Sequence, residues 1–287
     1  MSYRIMKMEL QTFVPEVNQL QCGVRLNRSY QTLLDMHQWS FLKREALINT
    51  VGVYQAGTVT AAGVSVTGAG TAFTSAMIGR YIRLSTQPEF YKITNVVGQT
   101  LTIESTVGTA VAGSGYELFQ YHYPKPTDAK HIIGIRRELW LGERSQAWLD
   151  GFDPDRNSTG PPIYWNNFDD TTLEIYPPSD QPYTVRVSYI VAVNDMAAET
   201  DTCLLPENLV VTHAVFAAYR QLGSRPEGKG YLQMVPMAQE EFKQAWTAAF
   251  ETDLSKQTLP TQVLVDGVDL PTSSDFWIGR DDFFANR

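Results

Sequence analysis

The sequence predicts an α+β protein. It would have a helical-hairpin and bundle core, a strand-rich middle region, an inserted small antiparallel β module and an extended C-terminal tail. Three observations predict this class. Apolar residues recur at helical spacing near both ends of the chain, and they alternate with period two in short glycine-punctuated runs between those ends. After about residue 254 they lose periodicity altogether. A chain of 287 residues, 43% hydrophobic and 19% charged, is long enough to bury a sizeable core and too apolar to be disordered throughout.

Taken in order, residues 1–50 carry helical periodicity. Leu26, Tyr30, Leu33, Leu34 and Phe41 fall on one face, while Arg25, Arg28 and Asp35 point away, which predicts a helix over 24–38. Residues 51–121 change character. Short alternating runs begin at Thr58, Val64, Tyr81, Phe90 and Leu101, and glycines separate them. Between 122 and 200 the clearest strand starts at Tyr183 and puts Tyr183, Val185, Val187 and Tyr189 on one face. A second strand, 173–176, stops at Pro177 and Pro178, and the turn residues Ser179 to Pro182 predict a hairpin joining the two.

From 206 the helical period returns. Pro206 suits a first helical turn, Gly223 suits a C-terminal cap, and the apolar residues between them surround the helix, which should therefore be central. A second helix carries Phe242, Ala245, Trp246, Ala249 and Phe250, with Pro236 starting or kinking it. The two should form a hairpin with Trp246 buried between them. The expected domains are a core of 1–50 with 122–254, a β-barrel-like module of 51–121 and a tail of 255–287.

Composition narrows the function. A formal charge of −8 leaves no basic excess for gripping nucleic-acid phosphates. Cys22 and Cys203 are far apart and form no metal-binding pair, so they read as two small buried residues in a reducing compartment. Glu9 interrupts any secretory apolar core. The uncharged stretch between Glu45 and Arg80 holds too many glycines, Gly52, Gly57, Gly63, Gly68, Gly70 and Gly79, for a membrane span.

Candidate chemistry is sparse. Gly63 and Gly68 have phosphate-loop spacing, but Ala69 and Gly70 stand where Lys and Ser or Thr belong; Phe73 replaces the third glycine of a dinucleotide fingerprint. His37, His122, His131 and His213 are scattered with no nucleophile elbow, and His213 reads as a hydrogen-bonded core or interface residue. Asp153, Asp155, Asp169 and Asp170 lie near Trp140, Trp148, Tyr164 and Trp165, a mixture that carbohydrate sites use, yet their local sequences are common turn sequences. No enzymatic activity, cofactor or metal is expected. The residues that do suggest a function are aromatic anchors in the tail, Phe276, Trp277, Phe283 and Phe284, with Arg280 and Arg287 beside them, a pattern suited to a partner interface.

The order of features carries a resemblance. The helix ending in Met36-His-Gln-Trp39-Ser-Phe41, the middle segments Gly160-Pro-Pro-Ile-Tyr164 and Leu173-Glu-Ile-Tyr-Pro-Pro178, the strand Val185-Arg-Val-Ser-Tyr189, Leu205-Pro206-Glu207 and the closing helical hairpin together resemble head-to-tail adaptor (connector) proteins of tailed bacteriophages of the short-tailed type. The run Val66-Thr-Gly-Ala-Gly-Thr-Ala-Phe-Thr74, followed by Met77-Ile-Gly-Arg-Tyr-Ile-Arg83, is similar to a β module of phage virion proteins and looks like an insertion.

The resemblance implies a structural virion protein of the neck region, assembled in the host cytoplasm. It implies a ring of twelve copies below the portal protein, contact with a tail nozzle or tube component, and a lumen through which genomic DNA passes without sequence-specific binding. The alternative is a carbohydrate- or receptor-binding virion module.

Overall fold

The computed structural model describes residues 2–225 and 229–256. Two compact units divide the described residues: 2–36 together with those of 196–256, and His37–Asp195.

The first unit is built from helices α1 (Tyr3–Phe13), α2 (Gln19–Met36), α4 (Glu207–Gly223) and α5 (Lys229–Lys256). Helix α2 starts earlier than the periodicity indicates, and α1 precedes it, burying Met6 and Leu10. Gly23 on α2 makes room for the Tyr3 side chain of α1, since a Cβ there would lie 2.5 Å from the Tyr3 hydroxyl. The chain re-enters this unit beside α2: Asn27 donates to the Met196 carbonyl at 2.9 Å and accepts from its N–H at 3.2 Å. The Leu204 N–H donates to the Tyr30 hydroxyl at 3.2 Å. Cys22 is buried, whereas Cys203 is only half-buried, because its segment runs along the surface of α2.

Helix α4 buries Leu209, Val210, Val211, Ala214, Val215 and Ala218, in keeping with its apolar circumference. It pairs with α5 as a hairpin, and Gly223 and Trp246 differ from expectation. Gly223 is the last helical residue and does not adopt a left-handed cap; a Cβ there would sit 3.0 Å from the Leu232 backbone nitrogen, so close approach of the two helices demands the glycine. Of the two places expected for Pro236, the structure has it inside α5, where one backbone hydrogen bond is missing. The residues α5 buries deeply are Ala238, Phe242 and Ala249, while Trp246 is only half-buried at the edge of the contact.

The second unit holds three sheets. In the first, β1 (Lys43–Asn49), β14 (Thr184–Val191) and β10 (Ala129–Arg136) run antiparallel in the order β1-β14-β10. Residues 43–49 are therefore strand, although they fall in the region read as helical. Their partner β14 alternates as expected, with Val185, Val187 and Tyr189 buried and Thr184 and Arg186 exposed.

The second sheet has the order β11-β12-β13-β9, from Gly142–Glu143, Tyr164–Asn167, Thr172–Tyr176 and His122–Pro124. The expected hairpin between 173–176 and 183–190 does not form. Strand β13 pairs with β12 and β9 while β14 pairs with β1 and β10, because the proline-rich segment between them carries the chain from one sheet to the other instead of reversing it in place. The two sheets share one core around Ile135, Leu141, Trp165, Ile175, Val185 and Val187.

The third sheet is antiparallel and seven-stranded, in the order β7-β2-β3-β6-β5-β4-β8. Its strands are β2 (Thr58–Ala62), β3 (Ser65–Ala69), β4 (Tyr81–Leu84), β5 (Phe90–Val97), β6 (Thr100–Ile103), β7 (Val111–Ser114) and β8 (Tyr116–Phe119). It encloses its own core, including Val59, Val66, Ile82, Leu84, Ile93, Leu101 and Leu118. Gly63, at φ +59, makes the β2–β3 turn, so this glycine serves a hairpin and not a phosphate. A short helix α3 (Gln146–Phe152) completes the unit, capped by Ser145, which accepts the Trp148 N–H at 3.3 Å.

Candidate functional site

The aspartates and aromatics that suggest a sugar site are dispersed into structural roles. Asp153 is buried at the end of α3 and accepts the N–H groups of Asn157 and Ser158, both at 2.9 Å, and the Tyr176 hydroxyl at 2.9 Å. Burial would raise its pKa, but those donors hold the carboxyl below its usual range. Asp169 closes a turn onto Thr171. Trp165 is in the core, Trp148 stacks on Phe152, and Trp140 covers Gly134.

Behind Asp153 lies a buried polar knot that the sequence does not announce. Arg156, 3% exposed, adopts a left-handed backbone at φ 50, unusual for a residue with a side chain. All three of its side-chain nitrogens donate. Nε reaches the Glu174 carboxylate at 2.7 Å, Nη2 reaches Asp150 at 2.5 Å, and Nη1 reaches the carbonyls of the α3 terminus, among them Leu149 at 3.4 Å. Glu174 is fully buried on β13, and burial pushes its carboxyl up while Arg156 opposes the shift. Burial alone would lower Arg156, but Glu174 and Asp150 more than offset it.

From the seven-stranded sheet, Arg83 on β4 donates to the carbonyls of Asp155 and, at 3.0 Å, Arg156, and it also faces Glu117 at 3.4 Å. Around these cations Tyr81, Phe90, Phe119 and Tyr121 stack or meet edge to face, with Arg83 over Phe119 and Arg156 over Tyr121. His122 accepts from or donates to the Tyr81 hydroxyl at 2.8 Å; burial above all, then Lys92 and Arg156, lowers its pKa to about 4. This arrangement fastens the seven-stranded sheet to β13 and the α3 loop.

The helical unit contains a different feature, a groove of ≈1010 Å³ between α2 and α4. Its apolar floor includes Leu20 and Val24 on α2, 79% and 64% exposed, and Phe216 on α4. Four arginines line it, Arg25 and Arg28 from α2 and Arg220 and Arg225 from the other side. Arg220 lies over the Phe216 ring, and none of the four has a carboxylate partner among the described residues. The lining carboxylate, Glu16, is engaged by the Tyr231 hydroxyl. Burial, together with the nearby charges of Arg225 and Arg28, lowers the pKa of Arg25, which registers the crowding of positive charge. His213 also lines the groove. It meets Phe242 edge-on at 4.9 Å, and its Nδ1 has no hydrogen-bond partner, unlike the satisfied histidine expected. Desolvation brings its pKa to about 4.

Residues 56–271, well over half of the chain, match the SU10 adaptor protein family. The chain belongs to that family of phage structural adaptors. The matched span includes the seven-stranded sheet, the mixed middle and the helical hairpin, and leaves α1 and α2 outside it. A search of curated proteins found no match. Among the adaptor's described residues no helix is long and apolar enough to cross a membrane. The interface residues read from the sequence, Phe276, Trp277, Arg280, Phe283, Phe284 and Arg287, lie outside the described residues. The groove was legible only in retrospect: Arg25 and Arg28 stand one turn apart on the face opposite the apolar stripe, and nothing in the sequence pairs that face with Arg220 and Arg225.

Proposed function

We propose that this adaptor forms a ring of twelve copies in the neck of a short-tailed phage particle, between the portal protein and a tail nozzle or tube component. Genomic DNA passes through the lumen without sequence-specific contact, and the ring assembles in the host cytoplasm. The observation that carries the reading is family membership across residues 56–271. Two features support it. The acidic balance of −8 suits a lumen that repels a polyanion weakly and lets it slide. The polar knot ties the seven-stranded sheet to β13 and the α3 loop through matched buried charges, which suits a structural part.

In this proposal the seven-stranded sheet is an inserted, separable module that contacts a neighbouring component. The segment 255–287 docks onto a neighbouring subunit or the portal through Phe276, Trp277, Phe283 and Phe284, with Arg280 and Arg287 pairing to acidic groups. Mass measurement of the purified chain, alone and with portal protein, tests the ring. A twelve-copy assembly in either condition supports the proposal, and a monomer in both contradicts it. Replacing 52–121 by a short linker should leave the helical circular dichroism intact if the module is separable.

A further inference from the structure

The geometry points to the α2–α4 groove as the receptor for residues 270–287 of a neighbouring copy of this chain. This rests on the reading of the C-terminal segment as an interface and adds the surface that receives it. The groove combines exposed aliphatic side chains with four arginines that have no carboxylate partner among the described residues. A charge left unpaired beside an apolar surface favours a partner that supplies both anions and large apolar groups.

Residues 257–287 supply both. Within 270–287 stand Asp275, Asp281 and Asp282, which face the groove arginines in this reading, while Arg280 and Arg287 are left to pair with acidic groups outside the groove. The acids adjoin the aromatics: Asp275 precedes Phe276-Trp277-Ile278, and Asp281-Asp282 precede Phe283-Phe284. A nucleic-acid strand would satisfy the arginines but has no use for Leu20, Val24 and the aliphatic floor, so the groove suits the segment better.

The neighbour is favoured over the same chain because of where α5 leads. Phe242 packs against His213 and Phe216 at the groove, and from Phe242 to Lys256 the helix advances about 20 Å away from it. The last described residue of α5, Lys256, thus lies beyond the groove of its own copy.

The test uses the full-length chain with Trp277 replaced by the photo-cross-linker p-benzoylphenylalanine, irradiated under assembling conditions with portal protein present. Mass spectrometry of mixed heavy- and light-isotope preparations identifies the linked site and whether two chains are joined. The expected result is inter-chain links to α2 and α4 residues of the groove. Arg28→Glu/Arg220→Glu/Arg225→Glu should reduce their yield about tenfold, and adding Asp275→Lys/Asp281→Lys/Asp282→Lys should restore most of it. The restored pairing also guards against a variant that simply misfolds.

Links confined to one chain, or to another surface of this protein or the portal, would overturn the groove assignment while leaving the segment an interface. No links at all, with assembly indifferent to deletion of 272–287, would remove the interface reading itself. Unchanged link yield together with loss of nuclease-sensitive DNA from the triple variant would reassign the arginines to nucleic acid and overturn the inference.

Discussion

Arginine does opposite work in the two units. In the β unit Arg156 is buried, every side-chain nitrogen donates, and its partner Glu174 is fully buried as well. In the helical unit Arg25, Arg28, Arg220 and Arg225 gather around an open groove with no carboxylate to meet them among the described residues. A cation that serves the fold must be matched, because an uncompensated buried charge costs several kcal/mol. A cation kept at a solvent-facing groove carries little of that cost and is free to meet an outside anion. The difference separates arginines whose charge the fold matches from arginines whose charge it leaves unmatched among the described residues.

The largest expected effect falls on the knot. Arg156→Leu strands Glu174 in the core and should destabilise the β unit by about 3–5 kcal/mol in a thermal or denaturant melt. Arg156→Leu/Glu174→Leu should recover a substantial part of that loss, since the penalty belongs to the unpaired charge. A single variant that melts like wild type would break the comparison at its stronger end.

Within the helical hairpin, Phe242→Ala should cost about 3 kcal/mol, the loss of an aromatic from a packed interior, and Trp246→Ala about 1–2 kcal/mol because that ring is half exposed. Equal losses would mean that the packing edge has been drawn in the wrong place.

Acid should weaken both units through their histidines. His122 and His213 each titrate at about 4 in the fold, below the ordinary 6.5. Between those values the unfolded chain binds more protons than the folded one, so stability rises with pH across that window and falls as pH drops through it. The melting temperature of His213→Phe should vary less between pH 6.5 and 4 than that of the unsubstituted chain. An unchanged slope would show that His213 is not desolvated.

The smallest stability effect is the most informative. Arg28→Glu/Arg220→Glu/Arg225→Glu should move unfolding free energy by no more than about 1 kcal/mol, since these exposed arginines have no carboxylate partner among the described residues and only Arg220 covers a ring, that of Phe216. A loss comparable with that of Arg156→Leu would show that the groove arginines serve the fold after all.

Much of the architecture was legible in the sequence because short-range periodicity encodes it. The runs beginning at Thr58, Tyr81, Phe90 and Leu101 became strands, Val185, Val187 and Tyr189 became a buried face, and the apolar run after Pro206 became a central helix. What stayed hidden depends on distant residues. Strand 43–49 takes its identity from pairing with 184–190, and no local signal outweighs the helical pattern just before it. The Pro177–Pro182 segment has turn chemistry, but which sheet each flanking strand joins is decided by β9, β12, β1 and β10. The knot was hidden for the same reason: Arg83, Arg156 and Glu174 sit on separate segments and meet only once three chain regions are folded. Trp246 was read as buried from its spacing, yet spacing alone does not say how far a helix contact extends.

The most direct test of the account is the assembled mass of Arg28→Glu/Arg220→Glu/Arg225→Glu, measured with portal protein beside the unsubstituted chain, for which the proposed ring is expected. The account predicts an unchanged melt and loss of the ring, recovered when Asp275, Asp281 and Asp282 are changed to Lys in the same chain. A complete ring from the triple variant would contradict it.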